Sequence, residues 1–147
     1  MPGEAALNSA PSLTIQSRLE DIARLWPWVE SLAAEHAVPA GTLYAIHLCL
    51  EEALSNVIRH GYRGANDRFI KVECAPVAGE LAFIIEDQAP AFNPLSAAVE
   101  DTPAPASIGD IPLGGQGIRL MRKFAGRLAY QRLPGGNRLI MGFSTPR

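Results

Sequence analysis

Residues 42–62 constrain the fold more than any other stretch. At about 100° per residue on a helix, Leu43, Ile46, Leu50, Ala53, Leu54 and Val57 fall on one apolar side. Thr42 stands where an N-cap is wanted, and Gly61 and Gly64 supply the stop. A long helix with one apolar side must lie on a second layer. Two pairs of alternating segments offer that layer. Residues 68–74 and 80–86 alternate and are joined across Pro76 to Gly79, while residues 127–133 and 138–144 flank the turn Pro134-Gly135-Gly136-Asn137. These strands read as antiparallel or mixed, and helices and strands do not strictly alternate. The expected class is α+β, a sheet with helices on one face.

The rest of the chain fits around these elements. Leu13 to Gln16 reads as a short strand, and residues 17–37 carry helical spacing through Leu19, Ile22, Leu25, Trp26, Val29 and Leu32. Pro27 lies inside that pattern and predicts a kink or break. Residues 88–116 form a long segment rich in proline and alanine, and a third helix is expected from Gly117 through Phe124. A loop of that length in a small domain is usually functional. Residues 1–11 read as a loose tail before a single domain over 12–147.

The chain has 147 residues, is 48% hydrophobic and 19% charged, and carries a net charge of -2. This composition is globular, and the balance of charge argues against a direct nucleic-acid binder. Two cysteines, Cys49 and Cys74, are too few for a disulfide framework or a four-thiolate zinc site. No apolar run is long enough for a membrane helix, and Met1-Pro2-Gly3-Glu4 lacks a signal-peptide pattern. A cytoplasmic protein with reduced cysteines and no membrane partner is expected. Trp26 and Trp28 read as core or dimer contacts, and His36 and His47 as ordinary helix residues.

Three constellations carry chemistry. Glu52 and Asn56, four apart, share the polar side of the second helix, with Cys49 and His60 beside them. They could be a carboxylate base beside an oxygen ligand for magnesium, or simply a solvated face; spacing alone does not decide. Asp87 ends an apolar strand, where a carboxylate can accept a hydrogen bond from an exocyclic amine or serve only as a turn acid. Gly114-Gly115-Gln116-Gly117-Ile118 enters the third helix, a natural cradle for phosphate or merely a flexible loop end. No Gly-Lys-Ser/Thr follows, so this is not a Walker loop, and it does not follow a strand as a dinucleotide fingerprint does.

Taken in order, these segments resemble the ATPase superfamily of gyrase, the heat-shock chaperone, histidine kinases and MutL. Within it, they are most similar to the bacterial anti-sigma-factor serine/threonine kinases. Leu50-Glu51-Glu52-Ala53-Leu54-Ser55-Asn56-Val57-Ile58-Arg59-His60-Gly61-Tyr62 resembles that family's asparagine box. Asp87 with Phe92-Asn93-Pro94 resembles its first glycine box, and Gly114 to Ile118 its second. Gly135-Gly136-Asn137-Arg138-Leu139 resembles its closing hairpin, and the likeness spans about residues 13–145.

The resemblance implies a two-layer α/β sandwich of the Bergerat, histidine-kinase-like ATPase type, with a mixed, mostly antiparallel sheet. It implies ATP and Mg2+ as cofactors. Glu52 would be the general base toward a serine hydroxyl, and Asn56 the magnesium ligand. Asp87 would bind the adenine amine, with Phe92 beside the adenine pocket and His60 packing near the nucleotide. Gly114, Gly115, Gln116, Gly117 and Ile118 would belong to the lid over the phosphates. The implied function is an anti-sigma factor and serine kinase, with a sigma factor and a STAS-type anti-anti-sigma protein as partners and a homodimer as its form. A nucleotide-sensing module of the same fold with little or no kinase activity is the alternative. Two features depart from the family. Ala89 replaces a glycine, so its methyl is expected to crowd the adenine or the adjoining turn, and it is strained if its φ is positive. No Lys or Arg lies between Lys71 and Arg119, so the long loop offers no cation to a triphosphate.

Overall fold

The computed structural model describes residues 10–77, 79–96 and 117–145. Strand β1 (Ser12–Gln16) is followed by a 3-10 segment (Leu19–Leu25) and helices α1 (Trp26–Glu35) and α2 (Ala40–Asn56). A π-helical turn (Val57–Gly61) then leads to strands β2 (Phe69–Val77) and β3 (Glu80–Asp87). After a 3-10 turn (Pro94–Ser96) come helix α3 (Gly117–Phe124) and the hairpin β4 (Arg127–Leu133) and β5 (Gly136–Ser144). The five strands form one sheet in the order β1-β2-β3-β5-β4. Each neighbouring pair among the described residues is antiparallel. The result is the two-layer α+β sandwich implied by the sequence.

Local chemistry explains the boundaries. Pro27 splits the helical pattern of residues 17–37, as expected of a residue without an N–H. It takes the second position of α1, where the missing donor costs nothing. Helix α2 starts three residues earlier than the sequence suggested: Pro39, not Thr42, is the N-cap, and its carbonyl accepts the Leu43 N–H at 2.9 Å. Thr42 therefore lies inside the first turn and caps nothing. At its other end α2 is regular only to Asn56. The Tyr62 N–H reaches back to the Val57 carbonyl at 2.7 Å and the Gly64 N–H to the Ile58 carbonyl at 2.8 Å. Arg63 and Gly64, at φ of 53° and 84°, then turn the chain away.

The core lies between the helices and one face of the sheet. Ile70, Val72 and Cys74 of β2 alternate inward, as do Leu81, Phe83 and Ile85 of β3 and Leu139, Met141 and Phe143 of β5. Against them lie Ile46, Leu50 and Leu54 of α2, all fully buried. Cys49 is also fully buried, so it belongs to the core and not to the polar side beside Glu52. Burial, then the Glu52 charge, pushes its thiol up to about 12, which leaves it protonated and inert near neutral pH. Trp26 and Trp28 pack against the same core, and the Trp26 ring lies 4.6 Å from that of His47. The other sheet face is polar along one row, Lys71-Glu86-Arg138-Gln131, with Arg138 paired to Glu86 at 2.6 Å.

Strand β5 runs unusually close to the end of β3. A Cβ added at Gly136 would stand 2.1 Å from the Asp87 carbonyl oxygen, whereas one at Gly135 would meet nothing within 4 Å. Gly135 instead needs its glycine for a φ of 78°. Gly136→Ala is therefore expected to destabilise by about 2 kcal/mol or more through overpacking, and Gly135→Ala by about 1 kcal/mol through backbone strain. Urea unfolding midpoints of the two variants check this, and an unchanged midpoint for Gly136→Ala would contradict the observed approach of the strands.

Candidate functional site

The end of α2, the π-helical turn, the tip of β3 and the start of β5 meet at one edge of the molecule. There they line a narrow cleft that is partly open to solvent. Ala53, Val57, Ile85, Phe92 and Leu139 make its apolar walls, and Asn56, Asp87, Tyr130 and Asn137 supply polar groups. Three of the residues singled out in the sequence, Asn56, Asp87 and Phe92, thus line one cavity. The π-helical turn follows Asn56 directly. It shifts the following residues off the α-helical register, and such insertions are common at functional sites.

Asp87 is buried at 8% exposure. Burial raises its carboxyl above the usual aspartate range; hydrogen bonds from Asn137 and the Ala89 N–H, and the nearby Arg132 charge, pull it partly back. Its Oδ1 accepts the Ala89 N–H at 2.9 Å and Asn137 Nδ2 at 2.8 Å. Glu52 is half-buried one turn before Asn56 and is not among the residues lining the cleft. Burial and the adjacent Glu51 raise its carboxyl, while Arg59 lowers it. The ring of His60 is exposed and lies 5.8 Å from that of Phe92, so it packs on the outside of the cleft wall.

Ala89 does not behave as its replacement of a glycine suggested. It is not among the described non-glycine residues at positive φ, so no left-handed strain arises. Ala89 is not among the residues lining the cleft, and its methyl sits in the space left by Gly61, where a second Cβ would stand at only 3.2 Å. The missing side chain at Gly61 accommodates the extra one at Ala89.

Gly114, Gly115 and Gln116 lie outside the described residues. Gly117 and Ile118 open α3 as expected, directly before Arg119. Several contributors were given no role by the sequence reading. Tyr62 donates its hydroxyl hydrogen to the Phe69 carbonyl at 2.7 Å and accepts the Gln88 N–H at 2.8 Å, tying the π-helical turn to the loop after β3. Tyr130, Arg132 and Asn137 come from the closing hairpin. Strand register, which pairs Asp87 with Asn137 and Asn137 with Arg132, is the signal that finds the last two, and Tyr130 stands two residues before Arg132 on the same strand.

A family model described as a histidine kinase-like ATPase domain matches residues 15–143. A serine/threonine-protein kinase named BtrW from Bordetella bronchiseptica is 32% identical over 114 residues, covering 78% of this chain and 79% of that protein. An anti-sigma F factor from Clostridium novyi is 28% identical over 97 residues, covering 65% of this chain and 66% of that protein. Among solved structures, the RsbU and RsbW domains of a Mycobacterium tuberculosis protein superpose with a TM-score of 0.62 at 14% identity, over 93% of this chain and 33% of that one. That last likeness is one of fold.

The Gly61–Ala89 contact predicts a specific coupling. Gly61→Ala alone is expected to cost about 1 kcal/mol from crowding, and most of that loss is expected to return when Ala89→Gly is added. A double-mutant cycle of unfolding free energies checks this; strictly additive effects would mean the two positions do not share the space.

Proposed function

The chain belongs to the histidine kinase-like ATPase domain family, and we propose that it binds ATP in the cleft and transfers the γ-phosphoryl group to a serine of a partner protein. In this reading it is an anti-sigma factor that phosphorylates an anti-anti-sigma protein and holds a sigma factor in turn. The observation that carries it is the meeting of Asn56 and Asp87 in one apolar-walled cleft, with Glu52 one turn outside it. The names of the two relatives support the coarser statement, an anti-sigma factor or serine kinase.

The chemistry of the cleft lining suits an adenine base. Its walls are apolar, and Asp87 Oδ2 has no hydrogen-bond partner among the described residues, so it is left to accept an exocyclic amine. Asn56, on α2 in the same cleft lining, is the residue whose side-chain oxygen would hold a magnesium ion. Among the described residues no three His, Cys, Asp or Glu side chains gather as a metal cage. One protein oxygen plus phosphates and water suits magnesium, which keeps most of its waters and demands few protein ligands. Such an ion neutralises charge developing on the phosphates.

Glu52 acts at the other end. Its carboxylate accepts the proton of the serine hydroxyl as that oxygen bonds to the γ-phosphorus, and the bond from phosphorus to the bridging oxygen breaks to release ADP. A base with a raised pKa is better matched to this transfer near neutral pH than an ordinary glutamate. Among the described residues, the lining of the cleft contains no Lys or Arg. This favours slow transfer, and it is the observation behind the second reading, a nucleotide-sensing module that holds its partner without phosphorylating it.

Calorimetry with ATP and Mg2+, followed by a phosphoserine assay with the partner, separates these readings. Glu52→Gln is expected to slow transfer by about 100-fold or more while leaving ATP affinity within about threefold; full activity would remove Glu52 from its role. ATP binding with no transfer to any anti-anti-sigma protein supports the sensing module, and no ATP binding refutes both. The acid limb of the transfer rate is expected above the ordinary glutamate range, since a raised pKa delays formation of the base as pH climbs. Arg59→Ala is expected to move that limb higher still, because Arg59 holds the Glu52 pKa down. A pH–rate profile of the two proteins checks the sign.

A further inference from the structure

Asn137 is the most heavily bonded side chain beside the cleft, and nothing in the proposed reaction uses it. It is buried at 4% exposure. Its Nδ2 donates to Asp87 Oδ1 at 2.8 Å, to the Ala89 carbonyl at 3.2 Å and to the Pro90 carbonyl at 3.1 Å. Its Oδ1 accepts the Phe92 N–H at 3.1 Å, Arg132 Nη1 at 3.3 Å and the Tyr130 hydroxyl. Arg132 Nη1 also donates to the Ala89 carbonyl at 3.0 Å. The amide has only one workable orientation. Turned over, its NH2 would face three donors and its oxygen would face a carboxylate and two carbonyls.

The register explains how this arises. Asp87, Asn137 and Arg132 stand opposite one another on three adjacent strands. Their side chains therefore share one face of the sheet, at the row where β3 ends. The loop that follows, through Phe92, has its backbone drawn onto the side chain of a single residue.

We infer that Asn137, steadied by Arg132, is the positioning residue that sets base selectivity in the cleft. It does so by occupying Asp87 Oδ1. With Oδ1 taken by Asn137 and the Ala89 N–H, only Oδ2 remains for a ligand, and it is an acceptor held in one direction. A 6-amino purine donates to it. A 6-oxo purine sets a carbonyl against a carboxylate oxygen and leaves both unpaired, and a site built around such a bond discriminates strongly. Without Asn137 the carboxylate is free to turn, and the loop loses the bonds that keep Phe92 against the base. The inference rests on the ATP-binding reading above and adds to it the residue that enforces the choice of base.

The test compares dissociation constants for ATP and inosine triphosphate, which differ at the 6-substituent, by calorimetry on the whole chain. Wild type is expected to favour ATP by about 100-fold or more. Asn137→Ala is expected to narrow that ratio at least about tenfold, a change that general loosening of the fold, acting on both nucleotides alike, does not produce. Asp87→Asn should keep the Ala89 and Asn137 bonds through its own carbonyl oxygen but present NH2 to the cleft, so it is expected to reverse the preference toward inosine triphosphate. Arg132 lies exposed on the edge strand, so Arg132→Ala serves if Asn137→Ala fails to fold; it is expected to narrow the ratio about threefold. A wild-type protein that binds neither nucleotide refutes the ATP reading itself. A wild-type protein that discriminates, with the ratio unchanged in whichever of Asn137→Ala and Arg132→Ala folds, leaves ATP binding intact and overturns the inference.

Discussion

Everything at the cleft depends on the burial of one side of α2 against one face of the sheet. Ile46, Leu50 and Leu54 are fully enclosed between the helix and strands β2, β3 and β5. Each such side chain contributes about 1.5–3 kcal/mol when removed from water. That packing fixes the rotation of α2 about its axis, and therefore where the opposite side points. Asn56, four residues after Glu52, comes to lie at the end of the helix beside the tip of β3. The π-helical turn then lets the chain leave the core without carrying that polar side away from the cleft.

The cleft is assembled at some expense to stability. Asp87 is carried into the interior by a strand whose neighbours Leu81, Phe83 and Ile85 are all core residues. Burial raises its pKa above the unfolded value. The folded state therefore binds its proton more tightly, and the associated stability falls as pH climbs from the unfolded value through the folded one. At neutral pH the carboxylate is a net cost, only partly offset by Asn137, the Ala89 N–H and Arg132. A buried acid with one oxygen satisfied and the other without a partner among the described residues is consistent with the proposed ligand site.

Much of the architecture was legible in the amino-acid order because it follows from side-chain periodicity. The helical stripe of residues 42–62 and the alternation of residues 68–74 and 80–86 name both layers, and Pro27 marks its own break. The elements misjudged were those where the backbone, not the side chains, decides. Thr42 looks like a cap, but Pro39 already has the extended geometry of an N-cap and a carbonyl placed for the first helical bond. Cys49 reads as polar-side by angle, yet tertiary packing encloses it in the core. Ala89 looked like an obstruction because Gly61, 28 residues earlier, is its partner in space and not in sequence.

The sequence by itself determined the two layers, the helix that carries Glu52 and Asn56 and the strand that ends on Asp87, since each rests on the spacing of residues within a single element. Only the tertiary structure decided which of these groups share a cavity and what holds them there. Tyr62, Asn137, Arg132 and the Gly61–Ala89 contact act across strand pairings and loops. Hydrogen-bond register and close packing between distant segments, which leave no periodic trace along the chain, are what bring them together.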